Sequence, residues 1–117
     1  MKSLLIFFLA FNAGVFSAPA PHQIFNTSLA VTVRDELGNI VEGATLRLFL
    51  KEDDFTKEVN SLAEATTDKK GVAHFKKLKP ESYFILARKG DKDNTGGGEK
   101  IGKLENGKFN KITIIIQ

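Results

Sequence analysis

Acidic and hydroxyl side chains recur at alternate positions in Asp91-Lys92-Asp93-Asn94-Thr95-Gly96, and Glu99 follows. Oxygen ligands at that spacing before a glycine suit a hard cation, so Asp91, Asp93, Thr95 and Glu99 are this chain's calcium candidates. The pattern is incomplete. The twelfth position of such a loop is Gly102 rather than glutamate, and Lys92 and Lys100 dilute the charge. The simpler reading is a solvated loop between two strands. Gly96-Gly97-Gly98 lacks the Gly-Lys-Ser/Thr ending and the following helix of a phosphate loop. His22 and His74 have no serine or cysteine partner in a nucleophile motif. His74 alternates with Ala73 and Phe75, so it faces away from Phe75 as a strand histidine; His22 sits in a linker. There is no cysteine, which excludes disulfides, thiolate metal sites, a cysteine nucleophile and a lipid-bearing cysteine. These residue types therefore give no catalytic set and require no cofactor.

The amino terminus carries an address. Lys2 precedes Leu4-Leu5-Ile6-Phe7-Phe8-Leu9-Ala10-Phe11, and small residues follow through Ala18. A basic start, a short apolar run and small residues read as a secretory leader. The run is short, and Asn12 close, for a comfortable membrane span, so a cleaved leader is favoured over the alternative of an uncleaved N-terminal anchor. Val15 and Ser17 at the −3 and −1 places put the cut between Ser17 and Ala18. Residues 1–17 are then the leader, 18–27 an extended Pro-containing linker, and 28–117 one domain. A secreted small domain without disulfides suits a bacterial envelope, periplasmic or extracellular. The formal net charge of +3 and the pI of about 9.2 are mildly basic. Lysines and acids are interspersed, so nothing points to nucleic acid.

The elements that must position any site follow from period-two alternation. Leu29, Val31 and Val33 share one face of a first strand. Asp35 to Asn39 turns, with Gly38 free to take positive φ. Ala44, Leu46, Leu48 and Leu50 share the next buried face, opposite Thr45, Arg47 and Phe49. The segment near 53–60 has the composition of a loop with a short helix. Leu62 to Thr67 is a weak strand, Asp68-Lys69-Lys70-Gly71 a hairpin turn, and Val72 to Phe75 the return. Tyr83, Ile85 and Ala87 face the core, opposite Phe84, Leu86 and Arg88. Gly90 to Lys100 is a glycine-rich loop, and Ile101 to Glu105 a short strand. Asn106-Gly107 signals a type I′ hairpin. Lys111 to Gln117 closes the chain, with Ile112, Ile114 and Ile116 on one face and lysines 108 and 111 as charged gatekeepers. Seven short strands of this kind predict an all-β, Ig-like antiparallel sandwich. Its expected core is Leu29, Val31, Val33, Leu46, Leu48, Phe75, Leu78, Tyr83, Ile85, Ile112, Ile114 and Ile116. Phe49, Phe84 and Leu86 either form an exposed binding patch or, in a shifted register, cover the inner face.

Two runs carry a family likeness. Val33-Arg34-Asp35, Gly38-Asn39, Val41-Glu42-Gly43-Ala44 and Leu46 form one; Thr67-Asp68, Gly71, Phe75, Leu78, Pro80 and Tyr83 form the other. Together, across residues 28–117, they resemble the carboxypeptidase regulatory-like domain, a relative of transthyretin-like (prealbumin-like) and Cna-B-type sandwiches. The resemblance implies a stand-alone, secreted bacterial module without enzymatic activity. The chemistry of the relatives does not map across. Where zinc carboxypeptidases have His-x-x-Glu, His22 is followed by Gln23-Ile24-Phe25. Transthyretin-like hydrolases end in Tyr-Arg-Gly-Ser; this chain ends Ile115-Ile116-Gln117. The crosslinking lysine of Cna-B domains corresponds to Val33, so no isopeptide is expected.

Three functions remain in view. The leading one is a non-enzymatic, secreted or periplasmic module that binds a protein or glycan of the cell envelope or serves as an envelope accessory protein, with no nucleic-acid partner and no membrane span in the mature chain. The second is a small transthyretin-like hydrolase. The third is a calcium- or glycan-binding domain using the loop from Asp91 to Glu99.

Overall fold

The computed structural model describes residues 26–117. The leader, its cut between Ser17 and Ala18, and His22 lie outside the described residues. Two sheets face one another, with almost no helix. The first has the order β4-β1-β8, where β1 is Thr27–Asp35, β4 Val72–Leu78 and β8 Phe109–Ile116. Alternation along β1 seats Leu29, Val31 and Val33 in the core with no exposed surface. β4 pairs with β1 antiparallel, but β8 pairs with it parallel, Ser28 opposite Phe109 through Asp35 opposite Ile116. The expected all-antiparallel sandwich is corrected at this one ladder. A parallel pair needs a long crossover rather than a tight turn, and almost the whole domain lies between these two strands.

The second sheet runs β3-β2-β5-β6, with β2 at Thr45–Phe49, β3 at Ala63–Thr66, β5 at Tyr83–Lys89 and β6 at Lys92–Asp93. A further short strand, β7 at Lys100–Ile101, pairs with β5 beyond β6. There are eight strands among the described residues rather than seven. The additional one is β6, inside the glycine-rich stretch read as loop; two residues are too few to show an alternation. The expected strand from Ile101 to Glu105 is reduced to β7. The expected core residues are all buried except Ile112, which is half-buried, and they are joined by Ala44, Ala73, Ala87, Ile101 and Leu104. Leu50 does not join them: β2 ends at Phe49, and Leu50 is 43% exposed.

Most of the polar turns carry the chain from one sheet to the other. β1 leads to β2, β3 to β4, β4 to β5 and β7 to β8 across the sandwich. The hairpin reading of Asp68–Gly71 is thereby corrected. The turn itself forms: Asp68 accepts main-chain N–H bonds from Lys70 and Val72 at 2.8 and 3.1 Å. Gly71 takes φ +77°, and a Cβ there would stand 2.8 Å from Ile40 Cβ. Beside it the buried Thr67 hydroxyl donates to Val41 C=O at 2.7 Å and accepts Ala44 N–H at 2.8 Å. The type I′ hairpin at Asn106-Gly107 is corrected too. Gly107 alone takes positive φ, and the turn links opposite sheets.

The single helix among the described residues, α1 at Glu52–Lys57, packs on the outer face of the second sheet. Its acidic first turn and Lys57 in the last complement the helix dipole, and Asp53 pairs with Lys57 at 3.3 Å. Phe55 lands on Phe49, Phe84 and Leu86 and makes a second small core. Its ring meets Phe49 edge-on at 5.8 Å. These three residues are therefore neither an exposed patch nor part of the main core. Their strands keep the simple register, and the helix covers them.

Candidate functional site

The loop from Asp91 to Glu99 is folded on itself. Asp93 accepts hydrogen bonds from the Thr95 N–H and hydroxyl at 3.0 and 2.6 Å, and Arg88 stands 3.5 Å from its other oxygen. The Thr95 bonds, helped by Arg88, hold the Asp93 carboxyl below its ordinary pKa. Glu99 accepts Gly96 N–H across the loop, and Asp91 is exposed. Among the described residues, no group of three or more His, Cys, Asp or Glu side chains is gathered.

The residue at the centre of this loop is Asn94, which sequence reasoning missed. It is 2% exposed. Its carbonyl accepts Ala87 N–H at 2.8 Å, while its amide donates to Ile85 C=O at 2.9 Å and Gly98 C=O at 3.3 Å. Those β5 groups lie in the gap between β6 and β7. Asn94 completes the ladder there, and no local pattern in the sequence signals it.

A charged cluster ties α1 to the second sheet. Glu58 closes the helix with φ 56°, a left-handed conformation that glycine usually takes. Its carboxylate is gripped by Arg88 through both oxygens at 2.9 and 3.0 Å and by Arg47 at 2.9 Å. Arg88 holds the Glu58 pKa down, and Glu58 raises that of Arg88. The neighbouring cleft of about 230 Å³ is lined by Arg47, Arg88 and Lys89. Its two guanidinium groups are already neutralised from within the fold.

The outer face of the first sheet is different. The outward residues of its central strand near this end are small: Ser28, Ala30 and Thr32. Larger side chains from the flanking strands lean over them. His74 of β4 lies opposite Ala30, and Phe109 of β8 opposite Ser28. The two rings stack at 6.4 Å across the central strand. His74 is exposed and faces away from Phe75, as the alternation predicts. Phe109 is 57% exposed, and Lys111 Nζ stands 5.5 Å from its ring centre. A bulge sets Lys76 and Lys77 opposite Ser28, with Lys77 at φ 57°. Bulges re-aim side chains, and a strained non-glycine residue persists only where its surroundings hold it.

Two clefts, of about 300 and 370 Å³, share His74 and Phe109. Lys70, Lys76, Lys77 and Lys111 line them, against Asp68 as the one lining acid. Asp68 is occupied by Val72 and Lys70 N–H groups, which lower its pKa. Ser28 lines one of these clefts with His74, and among the described residues no hydrogen bond joins the two. The arrangement offers a flat aromatic surface for stacking and lysine ammonium groups for a negatively charged group. Phe109 escaped the sequence reading because the last strand was begun at Lys111. Only pairing through β1 brings it to His74.

No protein-family model matches the chain, and no curated protein matches it. Solved structures do. The backbone protein of the group B streptococcus pilus 2b aligns with a TM-score of 0.57 and 15% identity, over 78% of this chain and 40% of that one. The Bacillus anthracis TIE protein aligns at 0.55 and 18%, over 98% and 19%. The major pilin subunit of Bacillus cereus aligns at 0.51 and 18%, over 80% and 30%. The chain thus spans 40% or less of these proteins' lengths. At such identities the likeness concerns architecture: this chain shares the β-sandwich fold of domains found in pilin proteins.

Proposed function

We propose that this chain is a non-enzymatic β-sandwich module of the carboxypeptidase regulatory-like kind, exported by its leader, and that it binds an anionic glycan of the cell envelope. The observation that carries the reading is the exposed Phe109–His74 stack, ringed by lysines, on the outer face of the first sheet. A sugar ring lays its axial C–H groups on an aromatic face, and lysines select a carboxylated or sulfated sugar over a neutral one. The fold supports an extracellular setting, since two of the similar structures are pilus subunits. No helix among the described residues is long and apolar enough to cross a membrane. The test is affinity electrophoresis of the full chain in gels containing alginate, with dextran as the neutral control. Retardation by alginate alone is expected, lost in Phe109→Ala and weakened by salt. Equal mobility in both gels, or retardation unchanged in Phe109→Ala, counts against it.

A further inference from the structure

The first sheet ends on β8, and from Phe109 to Ile115 no strand among the described residues pairs with its outer edge. The register fixes which groups are left. Ser28 N–H donates to Lys108 C=O, so alternate residues from Asn110 to Ile116 turn their main chain toward β1. Phe109, Lys111, Thr113 and Ile115 turn theirs outward. At the near end the Asn110 side chain accepts Glu105 N–H at 2.9 Å and donates to Glu105 C=O at 3.3 Å; at the far end Gln117 and Asp93 exchange main-chain bonds at 3.0 and 3.3 Å. Protein edges are usually blunted by short strands, proline, bulges or a covering segment. This strand has eight residues, no proline and an unbroken register. Lysines are its one guard.

The flank beside the edge is open as well. Ile112 points inward yet is only half-buried, whereas Ile114 and Ile116 on the same face are buried. A groove of about 410 Å³ runs between β8 and the segment from Ile101 to Glu105. A further strand laid there would place its inward side chains over Ile112 and its outward ones among the lysines. Lys103, Lys108 and Lys111 line the groove against Glu105 alone. That charge disfavours a second copy, which brings the same lysines, and favours an acidic chain.

From these features we infer that β8 accepts an extended acidic segment of another protein as a fourth strand of the first sheet. This is recognition by strand addition, in which main-chain bonds supply affinity and alternate side chains supply selectivity. The strand edge and the Phe109–His74 face adjoin at Phe109 and Lys111, whose side chains line the clefts of both, but strand addition rests on the outward main-chain groups of β8 and not on the ring stack, so either reading stands without the other.

The probe is a short synthetic peptide alternating valine with aspartate, titrated into the full chain by NMR and hydrogen exchange. Binding is expected to protect the Lys111, Thr113 and Ile115 amides and to shift Ile112. N-methylation of every second residue abolishes binding in one phase and spares it in the other, because only one edge of the peptide faces β8. A valine–lysine peptide does not bind. Thr113→Pro weakens binding about tenfold, as loss of an edge donor should. Should that variant fail to fold, the pair of N-methylated peptides still decides. Absence of binding, equal binding of both methylated phases, or protection on β3 or β4 overturns the inference. So does a dimer of the chain alone with those amides already protected.

Discussion

Asn94 stands in for a missing piece of strand. One side-chain amide serves the Ala87 donor and the Ile85 acceptor that β6 and β7 leave uncovered. A buried main-chain group without a partner costs its full desolvation. Asn94→Ala should therefore lower stability by about 2–3 kcal/mol, read by urea denaturation. Asn94→Asp sharpens the test. Its ionised carboxylate still accepts from Ala87 but meets the carbonyls of Ile85 and Gly98, so the folded-state pKa of the new acid is raised. The penalty is then largest above that pKa and shrinks as pH falls through it, because a protonated acid donates to Ile85. Asp variant stability that does not recover toward acid pH would contradict this assignment. Asp93 and Thr95 bind each other, as short polar residues in turns do.

Helix α1 shows how a short element is held by what lies beneath it. Six residues are too few to be stable alone. Phe55 contributes burial, and Glu58 the ionic clasp to Arg47 and Arg88. Glu58 in the folded chain titrates below its unfolded value, so its contribution is complete above that value, near pH 4.3, and disappears as pH falls through the folded one. The Glu58 side chain is 38% exposed, which limits the effect to about 1 kcal/mol or less. The stability difference between the native chain and Glu58→Gln should accordingly hold at neutral pH and close as pH falls below the ordinary glutamate range. Parallel curves across that range would show the clasp to be inert. At this scale much was readable in the sequence. Alternation identified the buried faces of β1, β2, β5 and β8, and polar Gly-containing turns marked their ends. What the turns do not encode is destination. Asp68–Gly71 reverses the chain equally well in a hairpin or in an arch to the facing sheet, and the burial of Ala73 and Phe75 against the other layer decides. The helix was legible only as a composition, since Phe55 is its sole buried residue.

Across the whole molecule, the pairing of β1 with β8 governs assembly. These strands open and close the described chain, and the first sheet is β4, β1 and β8 alone. Alternation in the sequence showed that Ile114 and Ile116 are buried. It could not show beside which strand, because a parallel ladder leaves no local turn to read. The candidate face shares this dependence: His74 meets Phe109 only once both β4 and β8 flank β1. Contacts so distant in sequence must overcome loop-closure entropy before they reward it, which places refolding in the millisecond-to-second range of β-sandwiches. Without β8, β1 and β4 would form a two-stranded layer over an open core, and such a layer is marginal in water. A chain ending at Lys108 should therefore show no cooperative unfolding transition. Addition of residues 109–117 as a separate peptide should restore it, since the groups that hold β8 lie on β1 and at Asp93. A truncated chain that still unfolds cooperatively, with the intact chain's midpoint, would mean that the second sheet and its helix carry the fold and that β8 is only docked on it.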